Sequence, residues 1–505
     1  MPLAFPTFTL AGATTLLALL AACAGALDDT QAQPVASDWP PVWQDARPRP
    51  VAGPPAFEPP TARSCRQSPT TREVAGDAGP RHRPEAALAA ASRLAKAPRD
   101  ADEASASRAE ERTARGAAGV AADASRPAPP AAVAPSPWAQ PEMRRRERPA
   151  HEPVTAGVVD DNADFGEYLA YRARHAGLPV NDRDVSERYL VEVVDAAGRP
   201  VHDAEVAVQR AGVAAPVAWA RTDTAGRVWL HPRVFLDEGA FIPAGPPRGE
   251  RVLGVAVRQG AWQAQGTLVR GDRQALQLRL GGAGAPQRPR LDLVFMVDAT
   301  GSMGDEIAKL KASMRAMAQQ IAQLPGQPDI CWGLVAYRDR GDAFVTRTHD
   351  FTDDLGAFQD VLARVQAGGG GDTPEALNEA LHEVVHGLAW RRDAARLVVL
   401  VADAPPHLDY GGPQYDADMQ AALAKGIKVF AVGASGLDPV GEYVFRQIAQ
   451  YTAGRFVFLT YREAADPGSG PGGETVHDVR HYSVQTLDRL VVRLVGEELG
   501  RLTRG

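Results

Sequence analysis

The most constraining feature of this chain is an alternation of almost wholly apolar runs with amphipathic segments after residue 290. A run that is apolar at nearly every position fits a strand buried on both faces of a sheet. Between the runs, apolar side chains recur every three or four residues, which predicts helices. The chain therefore predicts an α/β fold in which a doubly wound, mostly parallel sheet carries helices on both faces. The runs are residues 291–297, 330–337, 397–402, 429–432 and 456–459.

Oxygen-bearing side chains follow the ends of the predicted strands. In a sheet of this kind, ligands bind beyond the carboxyl ends of the strands, near the point where the strand order reverses. Two carboxylates and three hydroxyls, without a thiol or an imidazole, suit Mg²⁺ or Mn²⁺ better than Zn²⁺. We therefore expect a divalent-cation site. Its predicted ligands are Asp298, Thr300, Ser302, Thr373 and Asp403.

The order of these five residues resembles the metal-ion-dependent adhesion site of von Willebrand factor type A domains. That site is written D-x-S-x-S, with a threonine and an aspartate following, and Thr300 takes the place of the first serine. The resemblance covers residues 289–462. It implies that the three hydroxyls contact the ion directly or nearly so, whereas Asp298 and Asp403 act mostly through water. It also implies a binding protein and not an enzyme.

A cation held by these residues would not have all six positions filled by the protein. We expect a carboxylate from Asp or Glu of an unknown protein partner to take the open position. Each ligand also has a purely structural interpretation, so a metal-free scaffold is an alternative function. Thr373 before Pro374 fits a helix N-cap, Asp298 and Asp403 fit turn caps, and residues 368–371 fit an ordinary glycine-rich loop.

Residues 382–386 read H-E-x-x-H, the motif of zinc metallopeptidases, which gives a second alternative. The downstream Gly and His of one such class are replaced by Ala389 and Arg392, and no Glu follows at the distance that another class requires. Helical geometry predicts that both histidines face solvent. A serine hydrolase built on Ser302 and Asp403, with His407 or His477, lacks the glycine that its motif requires at position 300.

Upstream of the α/β region, the pattern changes to period two. Residues 189–282 contain seven short candidate strands separated by turn signals, which predicts a small β-sandwich. The turns at residues 195–200 and 222–226 resemble those of the carboxypeptidase-regulatory, prealbumin-like family, which implies an adhesion or spacing role. Residues 159–188 are predicted to be a short helical segment, with the helix at residues 163–176.

The N-terminal part of the chain predicts export. Residues 1–22 resemble a signal peptide, and Leu20-Ala21-Ala22-Cys23 resembles a bacterial lipobox, which implies acylation of Cys23. We therefore expect a lipid-anchored protein of the cell envelope, held at the outer membrane if the host has one. Residues 23–158, rich in Ala, Pro and Arg, are predicted to be a disordered linker.

The cysteines, the C-terminal segment and the net charge give three further expectations. Cys65 lies in the predicted linker and Cys331 in a predicted strand, so no disulfide is expected between them. Residues 463–505 are predicted to be a flexible loop followed by a helix at 484–499. The formal net charge of −7 argues against nucleic-acid binding, because proteins that bind nucleic acid are typically basic.

Overall fold

The computed structural model describes Cys65 and residues 68–77, 152–211, 213, 215–236, 250–282, 288–371 and 373–503. The predicted signal peptide, Cys23 and most of segment 23–158 lie outside these residues. The strands are β1 (Thr71–Ala75), β2 (Thr155–Val159), β3 (Tyr189–Val194), β4 (Glu205–Arg210), β5 (Pro216–Arg221), β6 (Arg227–Leu230), β7 (Val252–Gln259), β8 (Trp262–Val269), β9 (Leu276–Arg279), β10 (Arg290–Asp298), β11 (Asp329–Tyr337), β12 (Phe344–Thr352), β13 (Ala395–Ala402), β14 (Ile427–Gly433), β15 (Arg455–Glu463), β16 (Asp466–Pro471) and β17 (Val484–Thr486).

Helices connect and cover these strands. They are α1 (Phe165–Arg174), α2 (Pro232–Phe235), α3 (Ile307–Ile321), α4 (Leu355–Arg364), α5 (Leu377–His382), α6 (Tyr415–Lys425), α7 (Pro439–Tyr451) and α8 (Leu487–Thr503). A 3₁₀ turn at Gly301–Asp305 precedes α3, and a π turn at Glu383–Gly387 follows α5. None of the helices within the described ranges has both the length and the apolar composition needed to span a membrane.

One large mixed sheet organises the C-terminal region. Its strand order is β1-β12-β11-β10-β13-β14-β15-β2-β17, with β16 paired to β15. The five neighbouring strands from β11 to β15 in this order, which correspond to the five predicted apolar runs, are parallel. Antiparallel strands extend both edges. After β10 the chain moves to β11 on one side, and later to β13 on the other, so the strand order reverses at β10.

The large sheet is covered on both faces, as its apolar runs require. On one face, α3, α4 and α8 pack against alternate β10 residues such as Leu293 and Phe295. On the other face, α5, α6 and α7 pack against the intervening residues, Val294 and Met296. Successive strand side chains point to opposite faces, so a strand contributes to both clusters only if apolar residues occupy both sets of alternate positions.

The region upstream contains two smaller sheets. One has the order β6-β3-β9 and the other β5-β4-β7-β8, so each of the seven predicted strands has a counterpart. Both sheets contribute to one apolar cluster, together with Tyr168 and Tyr171 of α1. Met419 of α6 and Tyr443 of α7 belong to the same cluster. The two regions therefore share a hydrophobic core.

The prediction of a disordered linker over residues 23–158 is wrong at both of its described parts. β1 pairs antiparallel with β12, and β2 lies between β15 and β17. These strands are short and lie at or near the sheet edges, so they bury too little apolar surface to show a strong sequence pattern. Pairing satisfies the backbone groups that an edge strand leaves open.

The expected absence of a disulfide is also wrong. Cys65 and Cys331 form a disulfide, with their Cα atoms 5.6 Å apart, inside the usual range. Cys65 is buried against the sheet and not suspended in solvent. The bond is possible because the chain before β1 runs beside the large sheet, a non-local placement that composition does not reveal.

The tail differs from its prediction in two places. The expected flexible loop contains β16, which pairs with β15. The helix begins at Leu487, because residues 484–486 are β17 and pair with β2. Helix α8 does pack on the α/β region, where its apolar residues join the cluster of α3 and α4.

Candidate functional site at the carboxyl ends of β10 and β13

The reversal of strand order at β10 places two predicted ligands at neighbouring strand ends. Asp298 is the last residue of β10, and Asp403 follows β13 directly. β10 and β13 are adjacent and parallel, so their carboxyl ends lie at the same edge of the sheet. Thr300 and Ser302 lie in the loop and 3₁₀ turn that follow β10.

Hydrogen bonds link Asp298, Thr300 and Ser302, and Asp403 lies beside them. Oδ1 of Asp298 accepts from the backbone N–H of Thr300 at 2.9 Å and from its Oγ1 at 2.7 Å. Oγ1 of Thr300 is 3.1 Å from Oγ of Ser302. The Ser302 hydroxyl is near enough to the carboxyl of Asp403 to lower its pKa, against the larger effect of burial. Asp298 and Thr300 are fully buried, whereas Ser302 is exposed, so the cluster opens to solvent at Ser302.

The glycine-rich loop at residues 368–371 packs directly on this cluster. The N–H of Gly368 donates to the carbonyl of Ala299 at 3.0 Å, and the N–H of Gly301 donates to Gly369 at 2.9 Å. Gly370 has a φ of +65°, and a Cβ there would lie 3.1 Å from Cβ of Thr300. The loop therefore needs glycine both for its backbone conformation and for its close approach, and it is not an ordinary surface loop.

Thr373 is the predicted ligand with the weakest connection to the other four. It is exposed on the segment before α5, and within the described ranges it makes no hydrogen bond to the other four. The N-cap interpretation is not supported, because α5 begins at Leu377 and its N-cap residue is Ala376. Thr373 therefore has no capping function that would account for it.

Glu375 is a site residue that the sequence analysis missed. Its backbone N–H donates to Pro405 at 3.0 Å, and its carbonyl accepts from His407 at 3.1 Å, so it ties the segment after Thr373 to the loop after β13. Its side chain is 2% exposed. A glutamate just before an apolar helical stripe looks like an ordinary residue at a helix start, so no sequence pattern distinguishes Glu375.

The carboxyl groups of this site are destabilised by burial and by each other. Burial, and then the charge of Asp403, raise the pKa of Asp298 to about 7. Burial, and then the charge of Asp298, raise the pKa of Glu375 to about 9. Burial also raises the pKa of Asp403. Among the described residues, one oxygen of each has no well-aligned hydrogen-bond partner, namely Oδ2 of Asp298, Oε2 of Glu375 and Oδ1 of Asp403.

A basic pocket lies beside the glycine-rich loop. Its volume is about 330 Å³, and its lining includes Ala299 of the β10 loop. Nε of Arg338 donates to the carbonyl of Ala299 at 3.0 Å, which connects the pocket wall to the carboxylate cluster. The cationic residues that line the pocket are Arg338, Arg347 and Arg364.

The geometry does not favour the two enzymatic alternatives. His407 bonds to Asp409 and His477 to Glu442, and in the part of the chain that the structure describes neither contacts Ser302. Glu383, which would be the general base of the H-E-x-x-H motif, is buried and forms an ion pair with Arg72 at 2.5 Å. A base held in this way is not placed to activate water.

The part of the chain that carries the candidate site matches a known protein family. Residues 292–465 match the family model of the von Willebrand factor type A domain. This match covers the large sheet from β10 to β15 and all the loops that carry the site. Residues 292–465 are a von Willebrand factor type A domain. The cluster of Asp298, Thr300, Ser302 and Asp403 therefore lies at the carboxyl edge of the type A sheet.

Several proteins are similar to the type A region. Alpha-protein kinase vwkA of Dictyostelium discoideum is 31% identical over 119 residues, which are 23% of this chain and 19% of that protein. The von Willebrand factor A domain-containing protein 7 of Rattus norvegicus is 36% identical over 110 residues, 21% of this chain and 12% of that protein. The chain thus spans less than a fifth of the length of these curated relatives.

A crystal structure of the conserved hypothetical protein BatB from Bacteroides thetaiotaomicron aligns with 14% identity and a TM-score of 0.29. The alignment covers 43% of this chain and 100% of that one.

Proposed function

We propose that this chain binds a protein partner through a divalent cation held at the carboxyl ends of β10 and β13. The type A domain indicates a protein-interaction or adhesion-type function. The proposal adds that Asp298, Thr300, Ser302, Thr373 and Asp403 hold Mg²⁺ or Mn²⁺. When bound, the ion supplies positive charge for a carboxylate of the partner.

The observation that carries the proposal is a cluster of buried carboxyl groups whose charged forms the protein does not compensate. Burial raises the pKa of Asp298, Glu375 and Asp403, and the charge of Asp403 adds to the rise for Asp298 and Glu375. Each of the three has an oxygen without a well-aligned partner among the described residues. Buried carboxylates are normally paired with a cation or coordinated to a metal. The donors are all oxygens, which hard cations such as Mg²⁺ prefer. The residues present therefore fit such an ion.

The arginine residues near the carboxylate cluster favour a partner with acidic groups. The pocket lined by Arg338, Arg347 and Arg364 adjoins the carboxylate cluster. Arg347 is paired with Glu73 at 2.7 Å, so the positive charge of the pocket rests on Arg338 and Arg364. A partner that presents one carboxylate to the ion would place its neighbouring acidic groups near this pocket. Opposite charges across an interface favour association and suppress unsuitable partners.

The metal site is tested by titrating Mg²⁺ into the full chain in a calorimeter. We expect one Mg²⁺ to bind the wild type and no Mg²⁺ to bind Asp298→Asn, which loses a charge but keeps an oxygen to accept from Thr300. The matched control is Asp360→Asn, because Asp360 is an exposed aspartate on α4. Unchanged affinity in Asp298→Asn, with a thermal melt like that of the wild type, would refute the assignment.

Partner binding is tested with the same variants. Retention of a partner from envelope extracts should fall when EDTA is added, return with Mg²⁺, and be lost in Asp298→Asn but kept in Asp360→Asn. Thr373→Ala should weaken retention, because it removes one oxygen without changing charge. A partner retained equally with EDTA and by Asp298→Asn would show that the metal-free scaffold is correct and that binding occurs elsewhere.

We further propose that the protein is exported and lipid-anchored through Cys23, with the sandwich-like region 189–282 spacing the type A domain from its anchor. The disulfide between Cys65 and Cys331 supports export, since such bonds persist in oxidising compartments. Metabolic labelling with a fatty acid tests the anchor. Wild type and Cys65→Ala should be labelled, and Cys23→Ala should not. Equal label in Cys23→Ala would exclude this acylation.

A further inference from the structure

A second group of metal-ligating side chains lies away from the carboxylate cluster, between α5 and α6. His382 is the last residue of α5, His386 lies in the π turn that follows, and Asp418 lies on α6. Each offers one ligand atom, and these atoms lie within 4.8 Å of one another. The two histidines thus meet a carboxylate that the H-E-x-x-H motif does not contain.

The distances fit a single small ion. Nδ1 of His382 is 3.0 Å from Oδ1 of Asp418, and Nε2 of His386 is 3.1 Å from the same oxygen. A tetrahedral Zn²⁺ with bonds of about 2.0–2.2 Å separates neighbouring ligand atoms by roughly 3.3 Å. The ion can therefore replace the protons of these hydrogen bonds with small movements of the two rings, whose centroids are 4.4 Å apart.

The burial of the three residues suits a site that is anchored in the protein and open to solvent. The side chain of Asp418 is 5% exposed, whereas those of His382 and His386 are 30% and 40% exposed. Asp418 is therefore held inside the protein. An ion can reach the three ligands from solvent, on the side of the two imidazole rings. A π turn after α5 sets the position of His386, and such turns are frequent at functional sites.

We propose that His382, His386 and Asp418 form a site for Zn²⁺ or a similar transition metal that joins α5 to α6. Imidazole nitrogens select such metals over Mg²⁺, so this site and the all-oxygen site differ in the ion that they bind. The site is structural and not hydrolytic, because Glu383 bonds to Arg72 and is not available as a base. A Cβ on Gly387 would meet the Glu383 carboxyl at 2.4 Å, so that carboxyl packs against the turn itself.

The test is a calorimetric titration of Zn²⁺ into the full chain carrying Asp298→Asn, with saturating Mg²⁺ present. This background separates the inference from the proposed function, since Zn²⁺ cannot then be counted at the strand-end site. One Zn²⁺ should bind. His386→Gln should weaken the affinity by more than about tenfold, the scale on which metal sites respond to altered ligation. The matched control is His175→Gln, which removes an imidazole that bonds to a single carboxylate, Asp478, at 3.1 Å.

A thermal melt gives a second readout. An ion that binds only the folded protein stabilises it, so Zn²⁺ should raise the melting temperature of the parent and of His175→Gln but not of His386→Gln. His386 is the most exposed of the three ligands, so its replacement should leave the fold intact. Equal Zn²⁺ affinity in His386→Gln and the parent, or no Zn²⁺ binding by the parent, would overturn the site.

Discussion

At the scale of single residues, the carboxylate cluster is costly to the folded protein unless a cation is bound. Asp298, Glu375 and Asp403 each have a raised pKa, mainly because burial disfavours their charged forms. A carboxyl whose pKa is higher in the folded than in the unfolded state opposes folding as it ionises. Glu375 shows this most strongly, with a pKa of about 9.

The first prediction concerns pH and Glu375. In EDTA, the free energy of unfolding should fall as pH rises from about 4.5, the unfolded value, towards 9, because ionisation is harder in the folded state. Glu375→Gln should reduce this fall and stabilise the protein at pH 8, by on the order of 1 kcal/mol after allowance for solvent screening. Denaturant unfolding at pH 5 and pH 8 measures it, with Glu497→Gln as a surface control. The same pH dependence in Glu375→Gln and wild type would contradict the prediction.

At the scale of elements, β1 is the clearest case of a short segment held by contacts distant in sequence. It pairs with β12, and Arg72 forms ion pairs with Asp350 and Glu383, both at 2.5 Å. The disulfide from Cys65 to Cys331 closes a loop with a sequence separation of 266 residues. Such a crosslink restricts the unfolded chain strongly, so it stabilises the folded state.

The second prediction is that Cys65→Ala lowers the free energy of unfolding by about 2–4 kcal/mol under oxidising conditions. Cys331→Ala and the double variant should show a loss similar to that of Cys65→Ala, since either change removes the same bond. Denaturant unfolding measures the loss, and reduced wild type is the control. Losses that add in the double variant would mean that the two cysteines act separately, as would a wild type insensitive to reductant.

At the scale of the whole molecule, the small sheets and the type A domain are joined by buried charge as well as by a shared apolar core. Asp203 precedes β4 and accepts from Arg396 of β13 at 2.9 Å and from Arg221 of β5 at 3.0 Å. Burial alone would raise the pKa of Asp203, but the two arginines hold it well below its usual range. All three side chains are at most 3% exposed.

The third prediction is that Asp203→Asn lowers the free energy of unfolding by about 3–5 kcal/mol, because it removes the buried carboxylate that Arg396 shares with Arg221. Arg221 keeps its ion pair with Glu205 at 3.3 Å. The wild type should unfold in a single calorimetric transition, since both regions depend on this junction. The stabilisation should be present at neutral pH and be lost only as pH falls below about 3.9, the unfolded value. An exposed substitution, Asp272→Asn, is the control. Two separate transitions in the wild type would show that the regions fold independently.

Sequence patterns were sufficient to predict the structure where a residue's environment depends on the strand or helix that contains it. The five parallel strands were predictable because burial on both faces favours apolar residues at nearly every position. The placement of Asp298 and Asp403 at neighbouring strand ends was predictable because chain order and strand ends together determine where such loops meet. The assignment of the five residues as ligands stays a prediction. The seven strands upstream followed from alternation and turn residues in the same way.

The sequence by itself determined the sheet, its covering helices and the loops that meet at the carboxyl edge. Only the tertiary structure decided which distant residues join them: β1 and Cys65 at one edge, Glu375 among the carboxylates, Asp418 beside two histidines, and Asp203 between two arginines. Each depends on one or two pairings between residues far apart in the chain. Such a pairing leaves no periodic pattern, because its partner is chosen by the packing of whole elements and not by its neighbours in sequence.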